Sequence, residues 1–220
     1  MNKVLICFAC VLGSAAQAEE VVIAALGDSL TQGYGLPAEQ GFVPQLQGWL
    51  DAEGVEARIV NAGVSGDTTA GGLARVDWTL TPEVDALIVT LGGNDMLRGL
   101  DPAQARSNID GILAAADEAD VEVLLVGMSA PGNYGAGYKA DFEGLYPDLA
   151  DNYGTLFYPD FFTGLLKAEA GADSLRSETV QRYFQGDGIH PNAEGVALIV
   201  EDIGPSVAEL AELAGQDPTN

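Results

Sequence analysis

Histidine, cysteine and basic residues are all scarce in this chain, and each scarcity closes off a class of chemistry. Its 220 residues hold one histidine and two cysteines, and nine lysines and arginines stand against 33 aspartates and glutamates. Both cysteines, Cys7 and Cys10, lie within a segment that reads as a secretory signal. Lys3 supplies its positive start, 4–12 its apolar stretch, and Ala16-Gln17-Ala18 a small-x-small cleavage site. Cleavage after Ala18 leaves no thiol, which excludes a disulfide framework, a cysteine nucleophile and thiolate metal sites. With His190 as the single imidazole, no zinc centre is expected, and no other metal or cofactor either.

Long hydrophobic runs are missing as well. The apolar part of the leader is too short to span a bilayer, and no later stretch approaches the roughly 18 apolar residues of a membrane helix. The shortage of Lys and Arg weighs against nucleic acid as a partner, since phosphate binding needs them clustered. Losing Lys3 with the leader leaves eight basic residues against 33 acidic ones, a net charge near −25. That charge reads as a strongly solvated surface, and its field should disfavour polyanionic substrates at low ionic strength. A nucleotide site is also unexpected, because no G-x-x-x-x-G-K-[ST] loop is present.

What remains is regular. Apolar, often β-branched runs at 21–26, 57–60, 86–91, 121–128 and, more weakly, 155–158 alternate with helical patterns, as in βαβ units. Phe42, Val43, Leu46, Trp49 and Leu50 share one face of a helix over 42–53. Asp101-Pro102 combines a capping side chain with proline at the first helical position, starting a helix that runs to about Asp117. Further helices are expected over 138–152 and 192–214. Without repeats or linkers, the chain divides into a leader at 1–18, one domain at 19–215 and a frayed tail at 216–220. The expected class is α/β, a three-layer α/β/α sandwich on a five-stranded parallel sheet.

In such a sheet, functional groups gather beyond the carboxyl ends of the strands. Here four exits are rich in Gly, Ser, Asn and Asp: Gly27-Asp28-Ser29-Leu30, 61–68, Gly92-Gly93-Asn94-Asp95, and 129–134. His190 follows a turn-rich stretch, with Asp187 three residues earlier. In a tight turn Asp187 can accept the ring Nδ1–H, which leaves Nε2 free to take a proton from a hydroxyl. Chemistry alone leaves three serines open. Ser29, Ser65 and Ser129 each follow a strand, and no G-x-S-x-G elbow singles one out. Ser29 ranks first because Gly27 permits a sharp strand exit.

Gly27-Asp28-Ser29-Leu30 with Gly33-Tyr34-Gly35, then Ser65-Gly66-Asp67-Thr68, Gly92-Gly93-Asn94-Asp95 and Asp187-Gly188-Ile189-His190-Pro191 resemble the four ordered blocks of the GDSL/SGNH hydrolases. The resemblance is greatest to the bacterial periplasmic arylesterase, acyl-CoA thioesterase I and lysophospholipase group. It spans nearly all of the mature chain, and Asn133-Tyr134-Gly135 resembles that group too. It implies a flavodoxin-like sandwich and a serine esterase with Ser29 as nucleophile, His190 as base and Asp187 as its orienting carboxylate. The Ser29 N–H, the Gly66 N–H and the Asn94 amide would form the oxyanion hole. Gly66 suits close backbone approach, and Asp28, Asp67 and Asp95 are expected to brace loops rather than catalyse.

Apolar residues in 96–100 follow Asn94 directly, and Leu30, Leu97, Tyr134 and Ile189 are expected to line the substrate cleft. The expected substrates are short- to medium-chain carboxylic esters, including aryl esters, with lysophospholipids and thioesters as further candidates. The charge places neutral esters ahead of acyl-CoA. Because His190 acts only when neutral, activity should rise from mildly acidic toward alkaline pH. A carbohydrate O-deacetylase with the same triad is the alternative, and a non-catalytic flavodoxin-like binding protein a remote one. The enzyme is expected to be a periplasmic or secreted monomer.

Overall fold

The computed structural model describes residues 20–168 and 175–216. The leader with its cleavage site and both cysteines lies outside the described residues, as does the tail beyond Gln216. Strands β1 (Val21–Gly27), β2 (Ala57–Gly63), β3 (Ala86–Thr90), β4 (Glu122–Val126) and β5 (Leu156–Tyr158) form one sheet in the order β2-β1-β3-β4-β5. Every neighbouring pair is parallel. β1 and β3 are buried along their whole length, which is why their sequences are continuous apolar runs rather than alternating ones. β2, at the edge, starts with alternating buried and exposed residues.

Helices cover both faces. On one side lie α2 (Phe42–Glu53) and α9 (Ala193–Ala214), with α7 (Thr163–Ala168) and α8 (Ser177–Tyr183) packed on α9. On the other, α3 (Thr69–Thr79), α5 (Pro102–Glu118) and α6 (Ala136–Tyr153) pack in series. α9 buries Val196, Ile199, Val200, Ile203, Val207 and Leu210, a 3.6-residue stripe. Asp101 caps α5 by accepting from Ala103 N–H at 3.0 Å, as its sequence predicts. The three-layer α/β/α expectation is met.

The differences are local. β2 runs on to Gly63 and β4 is shorter than its apolar run. The chain also forms helices that its periodicity does not announce: α1 (Ser29–Gln32), α4 (Gly93–Leu97), α3, α7 and α8. In α3, the adjacent Gly71 and Gly72 and the terminal threonines lower intrinsic helicity. Burial of Val76 and the Thr68 cap on Gly71 N–H override that preference.

Strand order places the site. From β1 the chain moves outward to β2, then crosses back to β3 on the opposite side. The loops after β1 and β3 therefore leave in opposite directions and open a crevice at the sheet's carboxyl edge. Leu87 is fully buried near the start of β3, in the core beneath that edge. Leu87→Ala should lower unfolding free energy by about 2–5 kcal/mol, read as a reduced denaturant midpoint at constant slope.

Candidate active site

Ser29 opens α1, immediately beyond β1. Asp28 precedes it as the cap, its Oδ1 accepting from Leu30 N–H at 3.0 Å. Gly27 is needed at this exit for lack of space. A Cβ there would run into the Thr31 side chain and come within 2.9 Å of the Thr90 carbonyl. As the first residue of a helix, Ser29 has an N–H with no intrahelical acceptor.

His190 arrives from the far end of the chain. Phe184 and Pro191 form an antiparallel bridge, and Gln185 N–H donates to the His190 carbonyl at 2.8 Å. These bonds close residues 184–191 into a hairpin-like loop just before α9. Inside it, Asp187 Oδ1 accepts from the Ile189 and His190 N–H groups at 2.9 and 3.0 Å, and Oδ2 lies 2.6 Å from His190 Nδ1. Nε2 of the same ring lies 2.8 Å from Ser29 Oγ. That contact separates the three serines. Ser65 Oγ donates instead to Gln32 Oε1 at 2.8 Å, and Ser129 lines the cavity without meeting the imidazole.

Burial pushes the Asp187 carboxyl up. The hydrogen bonds from the His190 ring and the two N–H groups, with the His190 charge, outweigh it and hold the group at about 2. This is below the ordinary carboxylate value of about 3.9. Asp187 therefore stays ionised at any working pH, and its contribution to stability is present above about pH 4 and lost as pH falls toward 2.

Asn94, in the first turn of α4, donates from Nδ2 to Asp28 Oδ2 at 3.0 Å. One buried carboxylate thus holds both the nucleophile turn and the Asn94 amide. Burial pushes the Asp28 carboxyl up, opposed by its bonds to Leu30 and Asn94 and by the His190 charge. The other two expected braces are also occupied. Asp67 binds Arg75 Nε at 2.6 Å, and buried Asp95 accepts from the Thr69 N–H and hydroxyl at 2.8 and 2.6 Å.

Gly66 is required for its backbone conformation rather than for space. Its φ is +86°, and a Cβ would meet only Arg98 Nη2, at 3.8 Å. Ser29, Gly66, Asn94 and His190 all face one cavity of about 700 Å³. Leu30, Leu97 and Ile189 line it, joined by Met96 and Tyr34. Tyr134 does not. It packs on Tyr138, and its hydroxyl donates to the Leu97 carbonyl at 3.4 Å, because the 132–134 turn carries it outside and leaves it supporting the rim from behind.

Several contributors were not evident from sequence. Tyr34 lays its ring 4.7 Å from the His190 ring, and Gln185 Nε2 donates to the Tyr34 carbonyl at 2.8 Å and to the Pro191 carbonyl at 3.1 Å. Arg75, on the unannounced α3, donates to the Ala62 and Gly27 carbonyls at 2.7 and 2.9 Å, tying the ends of β1 and β2 together. Arg98 Nη2 donates to the Gly66 carbonyl at 2.8 Å and lies 3.5 Å from Asn94 Oδ1. The i, i+4 spacing of Asn94 and Arg98 was the one available signal, and it required knowing that 93–97 is helical.

The sequence matches the GDSL-like Lipase/Acylhydrolase family over residues 25–198. The chain belongs to that family. Among its relatives, Esterase TesA of Pseudomonas aeruginosa is 38% identical, with 88% of this chain and 91% of that protein aligned. An Arylesterase of Vibrio mimicus is 32% identical, with 90% and 92% aligned. Of the solved structures, AlinE4, a SGNH-hydrolase family esterase, superposes with a TM-score of 0.68 at 44% identity. That alignment covers 88% of this chain and 98% of AlinE4.

In this family member one guanidinium orients two groups of the cavity wall. Arg98→Ala should lower kcat about tenfold with little change in KM, the loss of roughly one charged hydrogen bond felt in the transition state. A change confined to KM would assign Arg98 to substrate binding instead.

Proposed function

We propose that the chain is a serine hydrolase of carboxylic esters in which Ser29 is the nucleophile, His190 the general base and Asp187 the carboxylate that orients it. The observation that carries this reading is the unbroken line from Asp187 Oδ2 through the imidazole to Ser29 Oγ, at 2.6 and 2.8 Å. Asp187 stays ionised and accepts the Nδ1–H, so Nε2 presents its lone pair to the hydroxyl. Ser29 Oγ attacks the ester carbonyl as its proton passes to Nε2. His190 then hands that proton to the departing alcohol, leaving an acyl-enzyme. Water, activated by the same imidazole, releases the acid.

The negative charge that forms on the carbonyl oxygen is assigned to the Ser29 N–H, the Gly66 N–H and the Asn94 amide. Each such donor is worth roughly 3–4 kcal/mol of barrier. Asp28 supports this role by taking one Nδ2 hydrogen of Asn94 and leaving the other available. No cofactor enters any step.

The substrates we assign are short- to medium-chain acyl esters, including aryl esters, in a cavity lined by Leu30, Met96, Leu97 and Ile189. The names of the relatives, an esterase and an arylesterase, favour this over a carbohydrate deacetylase. Lysophospholipids and thioesters are further candidates, and the strong acidity of the chain ranks neutral esters above acyl-CoA. No described helix is long and apolar enough to cross a membrane. With the leader motif at 1–18, the reading is a periplasmic or secreted enzyme, acting as a monomer without nucleic acid.

A panel of p-nitrophenyl esters of graded chain length, with one matched acyl-CoA, tests this reading. Ser29→Ala should lower kcat by at least about 10⁴-fold without loss of fold, and full activity in that variant would end the assignment. At low salt the neutral ester should show the higher kcat/KM, and added salt should help only the CoA thioester. The pH profile gives an independent check. Because Asp187 is already ionised, the acid limb belongs to the imidazole, and kcat/KM should fall toward tenfold per unit on the acidic side. A flat profile between roughly pH 5 and 8 would exclude histidine as the base.

A further inference from the structure

The cavity that holds Ser29 and His190 has a second wall, formed where β4 and β5 leave the sheet and lined by Ser129, Ala130, Asp160, Phe162 and Leu166. Two features make this wall unlike the rest. It is held rigidly: Ala130 N–H donates to Glu143 Oε1 at 2.9 Å, and the Lys139 ammonium donates to the Ala130 carbonyl at 2.8 Å while pairing with Glu143. It also contains a carboxyl that the chemistry at Ser29 does not use. Asp160 is 7% exposed. Its Oδ1 accepts from Phe162 N–H at 2.7 Å, and its backbone carbonyl takes the Thr163 hydroxyl at 2.6 Å. Oδ2 is buried, and no donor among the described residues closes a hydrogen bond on it. The Ser129 hydroxyl and N–H lie close enough to favour the charged form, but burial dominates and pushes the carboxyl up.

A buried oxygen without a donor is unfavourable, and a plain hydrocarbon chain passing the wall recovers none of that cost. A substrate hydroxyl that engages the exposed Ser129 hydroxyl, which lies beside Asp160, does. We propose that Ser129 and Asp160 form a polar subsite that takes a hydroxyl carried by the substrate, so that the cavity selects hydroxylated esters over plain ones. The inference rests on the ester-hydrolase reading of the same cavity. A hydroxyl suits the site better than an ammonium, because it brings no charge into a buried wall and can both donate to and accept from the Ser129–Asp160 pair. The hydroxyl can reside on the acyl chain or on the alcohol of the ester.

Matched ester pairs distinguish those sources. One arm compares hydroxyl-ended with methyl-ended acyl chains of graded length. The other compares octanoate esters of a diol with those of the alkyl alcohol of the same size. Released acid is followed by titration for the wild type, Asp160→Leu, Asp160→Asn and Ser129→Ala. In one arm, within a narrow window of chain length, the hydroxyl-to-methyl ratio of kcat/KM should fall about tenfold in Asp160→Leu. It should fall several-fold in Ser129→Ala and survive largely in Asp160→Asn, which keeps a donor and an acceptor. Ratios unchanged from wild type in both arms at every length overturn the subsite. So does an ammonium-ended chain that outpaces the hydroxyl and loses its advantage in Asp160→Asn. Should Asp160→Leu fail to fold, an unchanged ratio in Ser129→Ala is sufficient to overturn it. Ser29-dependent turnover of the plain ester with no hydroxyl preference sinks the subsite alone, whereas turnover unaffected by Ser29→Ala sinks the reading beneath it.

Discussion

The site depends on one buried carboxylate, that of Asp28. Its two oxygens hold two separate loops at once, the nucleophile turn through Leu30 N–H and the β3 exit through Asn94 Nδ2. Both loops are drawn to the same acceptor, and the cost of burying its carboxyl is partly offset by hydrogen bonds that only the folded arrangement supplies. The Asp28 side chain therefore lies behind the chemistry, setting where a hydroxyl and an amide stand relative to one another.

The same device recurs around the rim. Asp95 takes the Thr69 N–H and hydroxyl and so ties the β3 exit to the start of α3, while Asp67 and two strand-end carbonyls share the Arg75 guanidinium. Farther back, the fully buried Tyr146 donates its hydroxyl to the Leu91 carbonyl at 2.9 Å, just before the turn that carries Asn94. Polar groups thus organise the carboxyl edge of the sheet, and apolar packing organises everything beneath it. This division explains how a chain so acidic keeps an ordered core: among the described residues the carboxylates are solvated or engaged as acceptors, with Asp160 keeping one buried oxygen without a donor.

Much of this was legible from the amino-acid order. Continuous apolar runs mark β1 and β3 because strands buried on both faces need no alternation, and the α9 stripe follows from helical geometry. Asp187 and His190 are three residues apart, so one tight loop brings them together and the pair can be read locally. The helices α3 and α4 were less visible, since threonine and glycine pull against helicity and only packing restores it. Tyr134 follows a strand exit, and a place in the sequence cannot say which way a turn will carry the ring.

Sequence by itself determined the class of fold and set the single histidine three residues after an aspartate, because these follow from composition, from residue spacing and from periodicities of 2 and 3.6 residues. Chemistry alone left three serines open and the resemblance of the sequence blocks pointed to Ser29, but the contact itself with the imidazole is a tertiary fact. Ser29 and His190 are separated by 161 positions, and no local pattern measures that gap. The position of Arg98 beside Gly66 and Asn94, and of Asp160 inside the cavity, are likewise tertiary facts. They depend on strand order and on which loops the reversal between β1 and β3 brings face to face.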